Sequence, residues 1–380
     1  MGDNPGVLVL NAGSSSLKYR LVAPDRPDDL DHGLIERIGE PGGDATDHAH
    51  AVATVVERLS GQTITATGHR VVHGGDRFRA PVLVDDEVIG AIEELARLAP
   101  LHNPAAAAGI RAARAALPGT PAVAVFDTAF HATLPPPAYT YALDQELASR
   151  YGIRRYGFHG ISVRYVVDAT ARLLDRPVAQ LNLIVLHLGN GASATAVRGG
   201  ASVATSMGLT PLEGLVMGTR AGDIDPAVVF HLARVSGLSL DEIEDRYQHR
   251  SGLAGLCGDN DLRVVQARAD AGEPDAALAL DVYCHRIRHY VGAYHAVLGR
   301  LDAVVFTAGV GEHSGQVRQQ SLDGLDALGI VVDPARNRSG TGARVVSPDT
   351  GRVVVCVVPT DEERAIAQET AALLEMNGSW

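Results

Sequence analysis

Lysine is almost absent from this chain. Of its 33 basic residues, 32 are arginine, and the single lysine is Lys18. Aromatic residues make up only 4%, so any core must be built mainly from aliphatic side chains. The three cysteines, Cys257, Cys284 and Cys356, are odd in number and far apart. That makes a disulfide framework or a zinc site improbable, and a reducing, cytoplasmic setting is expected. No apolar run approaches the roughly 18 residues of a membrane helix. The opening residues, Met1 to Gly6, hold no basic segment, so a secretory leader is not expected. A net charge of −12 argues against nucleic acid or an anionic membrane as partner.

What remains is an ordinary folding composition, 46% apolar and 21% charged. A length of 380 residues implies two domains. Val7–Leu10 is a short apolar run that ends in Asn11-Ala12-Gly13. It predicts a buried strand entering a small-residue turn, with Leu17–Val22 as the returning strand. A second such unit follows near mid-chain: a strand over Leu181–Leu188, the turn Gly189-Asn190-Gly191-Ala192-Ser193, and a return over Ala194–Val197. The repetition points to a duplicated domain. Three further strands, Ala122–Phe126, Ala303–Phe306 and Val353–Val358, run into Asp127, Thr307 and Pro359.

Helices are predicted between them, among them one with an apolar face of Leu280, Tyr283, Ile287, Tyr290, Tyr294, Val297 and Leu301. Thr360 and Glu363 have capping-box spacing for a last helix ending near Met376. Alternating strands and helices indicate α/β architecture, in which ligands collect at the carboxyl ends of strands. The stretch from Pro24 to Asp47, rich in Asp, Gly and Pro, reads as a surface excursion. Pro135-Pro136-Pro137 marks a hinge within 128–155.

Small-residue turns after strands let backbone N–H groups approach phosphate oxygens. Three occur, at Asn11–Ser16, His187–Ser193 and Gly309–Glu312. None matches GxxxxGK(S/T) or GxGxxG, which disfavours a Walker ATPase and a Rossmann dehydrogenase. Asp127 and Glu362 are acids at strand ends, where acids commonly hold Mg²⁺ beside phosphates; either also serves as a turn or helix-start residue. Histidine and arginine recur in the phrases Gly68–Gly75, Leu101–Pro104, Tyr156–Gly160 and Met217–Gly222. Metal-ligand spacing such as HExxH is absent. An Arg flanked by Gly can clamp a phosphate or carboxylate, or form a surface ion pair. His69 and His73 could equally be satisfied core histidines. Lys18, a compact point charge where arginine serves everywhere else, fits a narrow site near phosphates.

Taken together, these phrases resemble the acetate kinase family. The carriers are Asn11–Lys18, Gly157–Gly160, His187–Gly191, Thr210–Gly214, Gly218-Thr219-Arg220 and Pro359–Glu363, in family order, and the resemblance runs from Val7 to about Leu374. It implies the duplicated α/β fold of actin, heat-shock ATPases and sugar kinases, with two domains around a cleft. The expected domains are an acetate-side domain, 1–150, joined by a C-terminal helix, 362–380, and a nucleotide-binding domain, 151–361. The resemblance also implies reversible phosphoryl transfer between ATP and acetate, with Mg²⁺ or, as a substitute, Mn²⁺, in a homodimer.

By motif, Asn11 and Glu362 lie at the metal and Lys18 faces the nucleotide phosphates. Arg70 clamps the acetate carboxylate, with Val72, Leu101, Phe158 and Pro211 around the methyl. Asp127 is the active-site acid, and His159 and Arg220 stabilise the transition state. His187, Leu188, Gly189, Asn190, Gly191, Asp261, Leu262, Arg263, Gly309, Val310, Gly311, Glu312 and His313 line the nucleotide. If Arg70 and Val72 share a strand, both side chains point to one face. His313, Ala192 and Asp361 stand where the family commonly has Asn, Ser and Asn. The run Cys257–Asn260 looks one residue short. These departures lie mostly on the adenosine side and leave nucleotide preference open. Two rivals share much of this pattern: a kinase for a longer acid such as propionate, and an actin-like ATP-gated binding protein that needs no acid.

Overall fold

The computed structural model describes residues 5–24, 26 and 29–378. Met1–Asn4 of the opening segment, three residues of the Pro24–Asp47 stretch (Asp25, Pro27 and Asp28) and the last two residues of the chain lie outside them. The chain forms two compact units. One comprises the residues up to Ala132, 158–165, and everything from Asp361 on; the other comprises Thr133–Gly157 and Val166–Thr360.

The first unit holds a six-stranded sheet of β1 (Pro5–Ala12), β2 (Leu17–Val22), β3 (Asp29–Ile35), β4 (Thr63–Val71), β5 (Val82–Leu83) and β6 (Ala122–Phe126), in the order β3-β2-β1-β4-β6-β5. The second holds β7 (Asn182–Leu188), β8 (Ala192–Arg198), β9 (Ala201–Thr205), β10 (Ala303–Thr307), β11 (Arg344–Val345) and β12 (Val354–Val357), in the order β11-β12-β10-β7-β8-β9. Read backwards, the second order is the first with six added to every strand number. The pairing directions also agree: β1/β4 and β4/β6 are parallel, as are β7/β10 and β10/β12. The remaining pairs in both sheets are antiparallel. This is the duplicated α/β fold that the repeated strand–turn–strand units imply.

The central strands are buried on both faces, which is why they read as continuous apolar runs. Alternation along β1 divides its contacts. Val7 and Val9 pack with Ile366 and Leu374 of the last helix, Glu362–Met376. Leu8 and Leu10 pack with Val52 and Val55 of the helix His48–Arg58. Gly68 lets the last helix approach β4, because a Cβ there would lie 2.7 Å from both Ile366 Cγ2 and Thr370 Oγ1.

Two expectations need correction. The stretch from Pro24 to Asp47 is not only a surface excursion: it contains β3, which pairs antiparallel with β2. Its Asp-rich, partly exposed sequence suits an edge strand, and edge strands lack a strong apolar signal. The last helix is capped by Asp361, not Thr360. The Asp361 side chain accepts from Arg364 N at 3.0 Å, while Glu363 is engaged by Lys18.

Two histidines of the first unit are buried without becoming charged. His69 Nε2 lies 3.0 Å from Thr67 Oγ1, and His131 Nε2 lies 2.9 Å from the Phe158 carbonyl. Burial lowers both from the ordinary 6.5 to about 4. The unfolded chain therefore takes up these protons first. Stability is full above about pH 6.5 and falls as the pH drops towards 4, by about 2 kcal/mol per ring at pH 5. In urea unfolding at pH 7 and pH 5, we expect His131→Gln, which can still donate to Phe158, to show a smaller acid loss than the parent. An equal loss in both proteins would contradict this.

Candidate active site

In the first unit, β1, β4 and β6 run parallel and present their carboxyl ends together. β1 contributes Asn11, β4 contributes Arg70, and Asp127 is the first residue beyond β6. Glu362 opens the last helix. Arg70 is the hub. Its Nη2 and Nε reach Asp127 Oδ2 and Oδ1 at 2.6 and 3.3 Å. Its Nη1 donates to Asn11 Oδ1 at 3.4 Å, and Nε lies 3.7 Å from Glu362 Oε2. Asp127 is almost fully buried. Burial, opposed by Arg70 and aided by Glu362, pushes its carboxyl up to about 6. Burial disfavours the Arg70 cation, but Asp127 and Glu362 outweigh that and hold it above its usual range.

The loop beyond β4 is pinned from beneath. Buried Asn103 accepts from His73 N at 3.2 Å and donates to His73 O at 2.9 Å. The ladder ends at Val71, whose carbonyl accepts from Asp127 N at 3.0 Å. Val72 therefore lies one residue past the strand, and the same-face rule does not relate it to Arg70. Its half-buried side chain is placed by the turn instead. Phe158 is buried, edge-on to His73 at 5.5 Å between ring centres. Leu101 is 61% exposed in the turn before the helix Asn103–Ala116.

His159 adopts φ +58°, a left-handed conformation that is strained for a residue with a Cβ. The strain is held by its neighbour. Gly160 N donates to Asp127 O at 2.8 Å, and a Cβ on Gly160 would come within 2.2 Å of that oxygen. Strand β6 thus places both Asp127 and His159. Lys18, opposite Asn11 in the hairpin, pairs with Glu363, the residue after Glu362. Arg20 pairs with Asp29 and Asp361 at 2.6 and 2.5 Å, and so fastens the start of the last helix to the hairpin.

In the second unit a cavity of about 560 Å³ is lined by Gly189, Asn190, Asp261, Leu262, Arg263, Gly309, Val310 and His313. The other nucleotide candidates are not among its lining residues. His187 and Leu188 are buried on β7, and Gly191 O closes the turn by accepting from Gly189 N at 3.0 Å. Gly311 is buried in the short helix Ala308–His313, and Glu312 accepts from Thr360 N at 3.3 Å. Asp261 caps the helix Leu262–Asp270 and forks with Arg263, which holds its carboxyl down near 2. The walls also include Leu253, Asn260, Gln266, Tyr283 and Ser314. Sequence reasoning missed these as site residues; Tyr283 gave only a helical core period.

Gly218, inside a phrase singled out from the sequence, also reaches this wall. Its N–H donates to Asn190 O at 3.0 Å, and a Cβ would meet Asn190 Oδ1 at 2.0 Å. Two residues on, Arg220 Nη1 donates to Pro211 O at 3.3 Å. Among the described residues no carboxylate lies within the 4.0 Å of an ion pair of Arg220, and burial lowers its pKa. The arrangement supplies an anion clamp between carboxylates in one unit, and a small-residue cavity beside an unneutralised guanidinium in the other.

Known proteins resemble this chain over nearly its full length. A model of the acetokinase family matches residues 6–368. Acetate kinases from Streptomyces coelicolor and Clavibacter michiganensis are each 54% identical to it, the first over 98% of both chains and the second over 97% of this chain and 99% of its own. The crystal structure of Porphyromonas gingivalis acetate kinase matches with TM-score 0.93 at 40% identity, covering 97% of this chain and 100% of that one. A propionate kinase from Francisella tularensis matches with TM-score 0.91 at 39% identity, over 97% and 99%. With a duplicated α/β fold, the strand-end cluster around Arg70 and this likeness from end to end, the chain belongs to the acetokinase family.

Proposed function

We propose that this protein is an acetate kinase, which transfers a phosphoryl group reversibly from ATP to acetate and releases acetyl phosphate and ADP. The observation that carries the reading is Arg70, held at a strand end by Asp127, Asn11 and Glu362. Residues 1–150 with the helix Glu362–Met376 serve mainly the acid, and 151–361 serve mainly the nucleotide.

Acetate is already ionised at pH 7, so no base is needed to activate it. The difficulty is bringing an anion to a polyanion, and cations and positioning lower that barrier. Arg70 clamps the acetate carboxylate, and Asp127 orients that guanidinium rather than taking a proton. Val72, Leu101, Phe158 and Pro211 surround the methyl. His159 and Arg220 meet charge on the transferring group, and Lys18 faces the phosphates. The nucleotide lies against the Gly189–Asn190, Asp261–Arg263 and Gly309–His313 walls.

The donors Asn11 and Glu362, beside Asp127, offer oxygen only. Among the described residues no three acidic, His or Cys side chains gather as a cage. Such a set fits Mg²⁺, or Mn²⁺ in its place, which takes few protein oxygens and keeps several waters. When bound, that ion supplies positive charge between the phosphates. We also propose a homodimer. The helix Ala227–Val235 buries none of its residues, and Val228, Phe230 and Val235 lie exposed on it. Among the described residues no helix is long and apolar enough to cross a membrane; a cytoplasmic location is proposed.

The direct test traps acyl phosphate with hydroxylamine over acids of one to four carbons. Acetate should give the strongest signal with Mg²⁺ and none in excess chelator. ADP release that ignores the acid would instead indicate the actin-like binding class.

Lys18→Arg should raise KM for ATP roughly tenfold while KM for acetate changes little, because the wide guanidinium cannot take the place of an ammonium. Unchanged ATP kinetics would leave Lys18 as a product of composition alone.

The likeness to a propionate kinase gives acid length a second reading. One methylene in an apolar pocket is worth about 1–3 kcal/mol, so discrimination against propionate should be partial. Val72→Ala should lower KM for propionate and raise the propionate-to-acetate ratio of kcat/KM by about tenfold, with kcat for acetate largely kept. If the ratio stays constant, Val72 does not face the acid.

A further inference from the structure

Between β9 and the helix Ala227–Val235, residues 206–226 contain no helix or strand, yet Met207, Leu215, Val216 and Met217 are buried. This loop carries Pro211 and Arg220. Since no secondary structure orders it, something else must.

Glu213 is at its centre. One carboxylate oxygen receives Arg155 Nη2 and the other receives the Tyr141 hydroxyl. Arg155 also donates through Nη1 to the carbonyls of Ser206 and Met207, at 2.9 and 3.0 Å. The Tyr141 oxygen accepts from Leu209 N at 3.1 Å. Gly208 threads beside these groups, where a Cβ would come within 1.8 Å of Glu213 Oε2 and 2.1 Å of the Tyr141 oxygen. On the other side, Gly214 N donates to Asp223 Oδ1 at 2.9 Å, and Asp223 N returns to Gly214 O at 3.0 Å. Tyr290 and Arg286 hold Asp223 Oδ2 at 2.7 and 3.0 Å.

The polar contacts of the Arg220 guanidinium are weaker: Pro211 O at 3.3 Å and Met217 Sδ at 3.7 Å. Its direction therefore depends on where the Pro211 carbonyl stands, and Pro211 is two residues from Glu213. We propose that Glu213, held by Arg155 and Tyr141, is a positioning residue that aims Arg220 by fixing the Pro211 carbonyl. The proposal rests on the reading that Arg220 acts on the transferring phosphoryl group.

A double-mutant cycle separates the two claims. Arg220→Ala alone tests the earlier reading and should lower kcat about 10²–10³-fold with little change in KM. Glu213→Gln keeps the shape but removes the charge opposite Arg155. It should lower kcat roughly tenfold with KM for ATP within about twofold, and Tyr141→Phe should give a smaller loss in the same direction. In the Arg220→Ala background both losses should vanish, whereas general damage to the fold would multiply through. Thermal unfolding of each variant checks that the chain remains folded.

Losses that multiply in the double variants, or a Glu213→Gln enzyme with normal kcat, would overturn the positioning role. If Arg220→Ala kept full kcat, the phosphoryl role would fail by itself. The frame would then be judged on KM for acetate by the same cycle, and losses that persisted without Arg220 would overturn it.

Discussion

A carboxylate with almost no contact with water is tolerable only beside a cation, and the first unit is arranged around one such pair. Asp127 is buried, and Arg70 grips both of its oxygens. Breaking such a pair by removing one partner leaves the other charge buried and uncompensated, which is strongly destabilising. The pair explains details that otherwise look unrelated. β4 and β6 must be parallel neighbours in register for their ends to present Arg70 and Asp127 together. Gly160 must lack a Cβ to lie against the Asp127 carbonyl, and His159 takes a left-handed conformation because the chain is held there. An arginine held by two carboxylates and a carboxamide is also a clamp of fixed direction, suited to meeting the planar fork of a third carboxylate.

The duplication shows how one topology supports two kinds of strand end. Equivalent strand ends in the two sheets carry different chemistry. Asn11 and Arg70 stand at the ends of β1 and β4, and Asp127 just beyond β6; just beyond β7, β10 and β12 stand Gly189, Ala308 and Val358. A two-carbon acid offers little surface, so its recognition needs charge at close range. A nucleotide offers a large surface and needs room, which small residues leave. The left-handed Ala308, at φ +62°, marks the point where β10 turns sharply into the short helix Ala308–His313.

Much of this was legible in the sequence, for a physical reason. Central strands buried on both faces must be continuous apolar runs, so β1, β6, β7, β10 and β12 stood out. Sharp turns at their ends need small residues, which marked the loops after the strands. Missing signals have physical reasons too. β3 is an edge strand whose residues need not be apolar. The cap at Asp361 is chosen by its pairing with Arg20, a residue 341 positions away, and no local window contains that information. Leu101, assigned to a pocket wall, lies largely exposed. Leu253, Gln266 and Tyr283 sit on three different helices, and only the fold turns them towards one cavity.

The single lysine gains meaning from its company. Arginine supplies the cation in most of the other ion pairs among the described residues, with one His249–Asp245 contact beside them. Several of the arginine pairs fasten one part of the fold to another: Arg20 to Asp361, Arg364 to Asp29, Arg155 to Glu213 and Arg336 to Asp349. A planar fork that makes two hydrogen bonds at once suits such permanent joints. Lys18 differs in each respect. Its ammonium is a point charge on a flexible stem, its side chain is 55% exposed, and it meets Glu363 through one oxygen. Such a contact is weakly held in water and easily exchanged. Arginine fixes the frame, while Lys18 stands at the hairpin opposite Asn11 in a largely exposed contact.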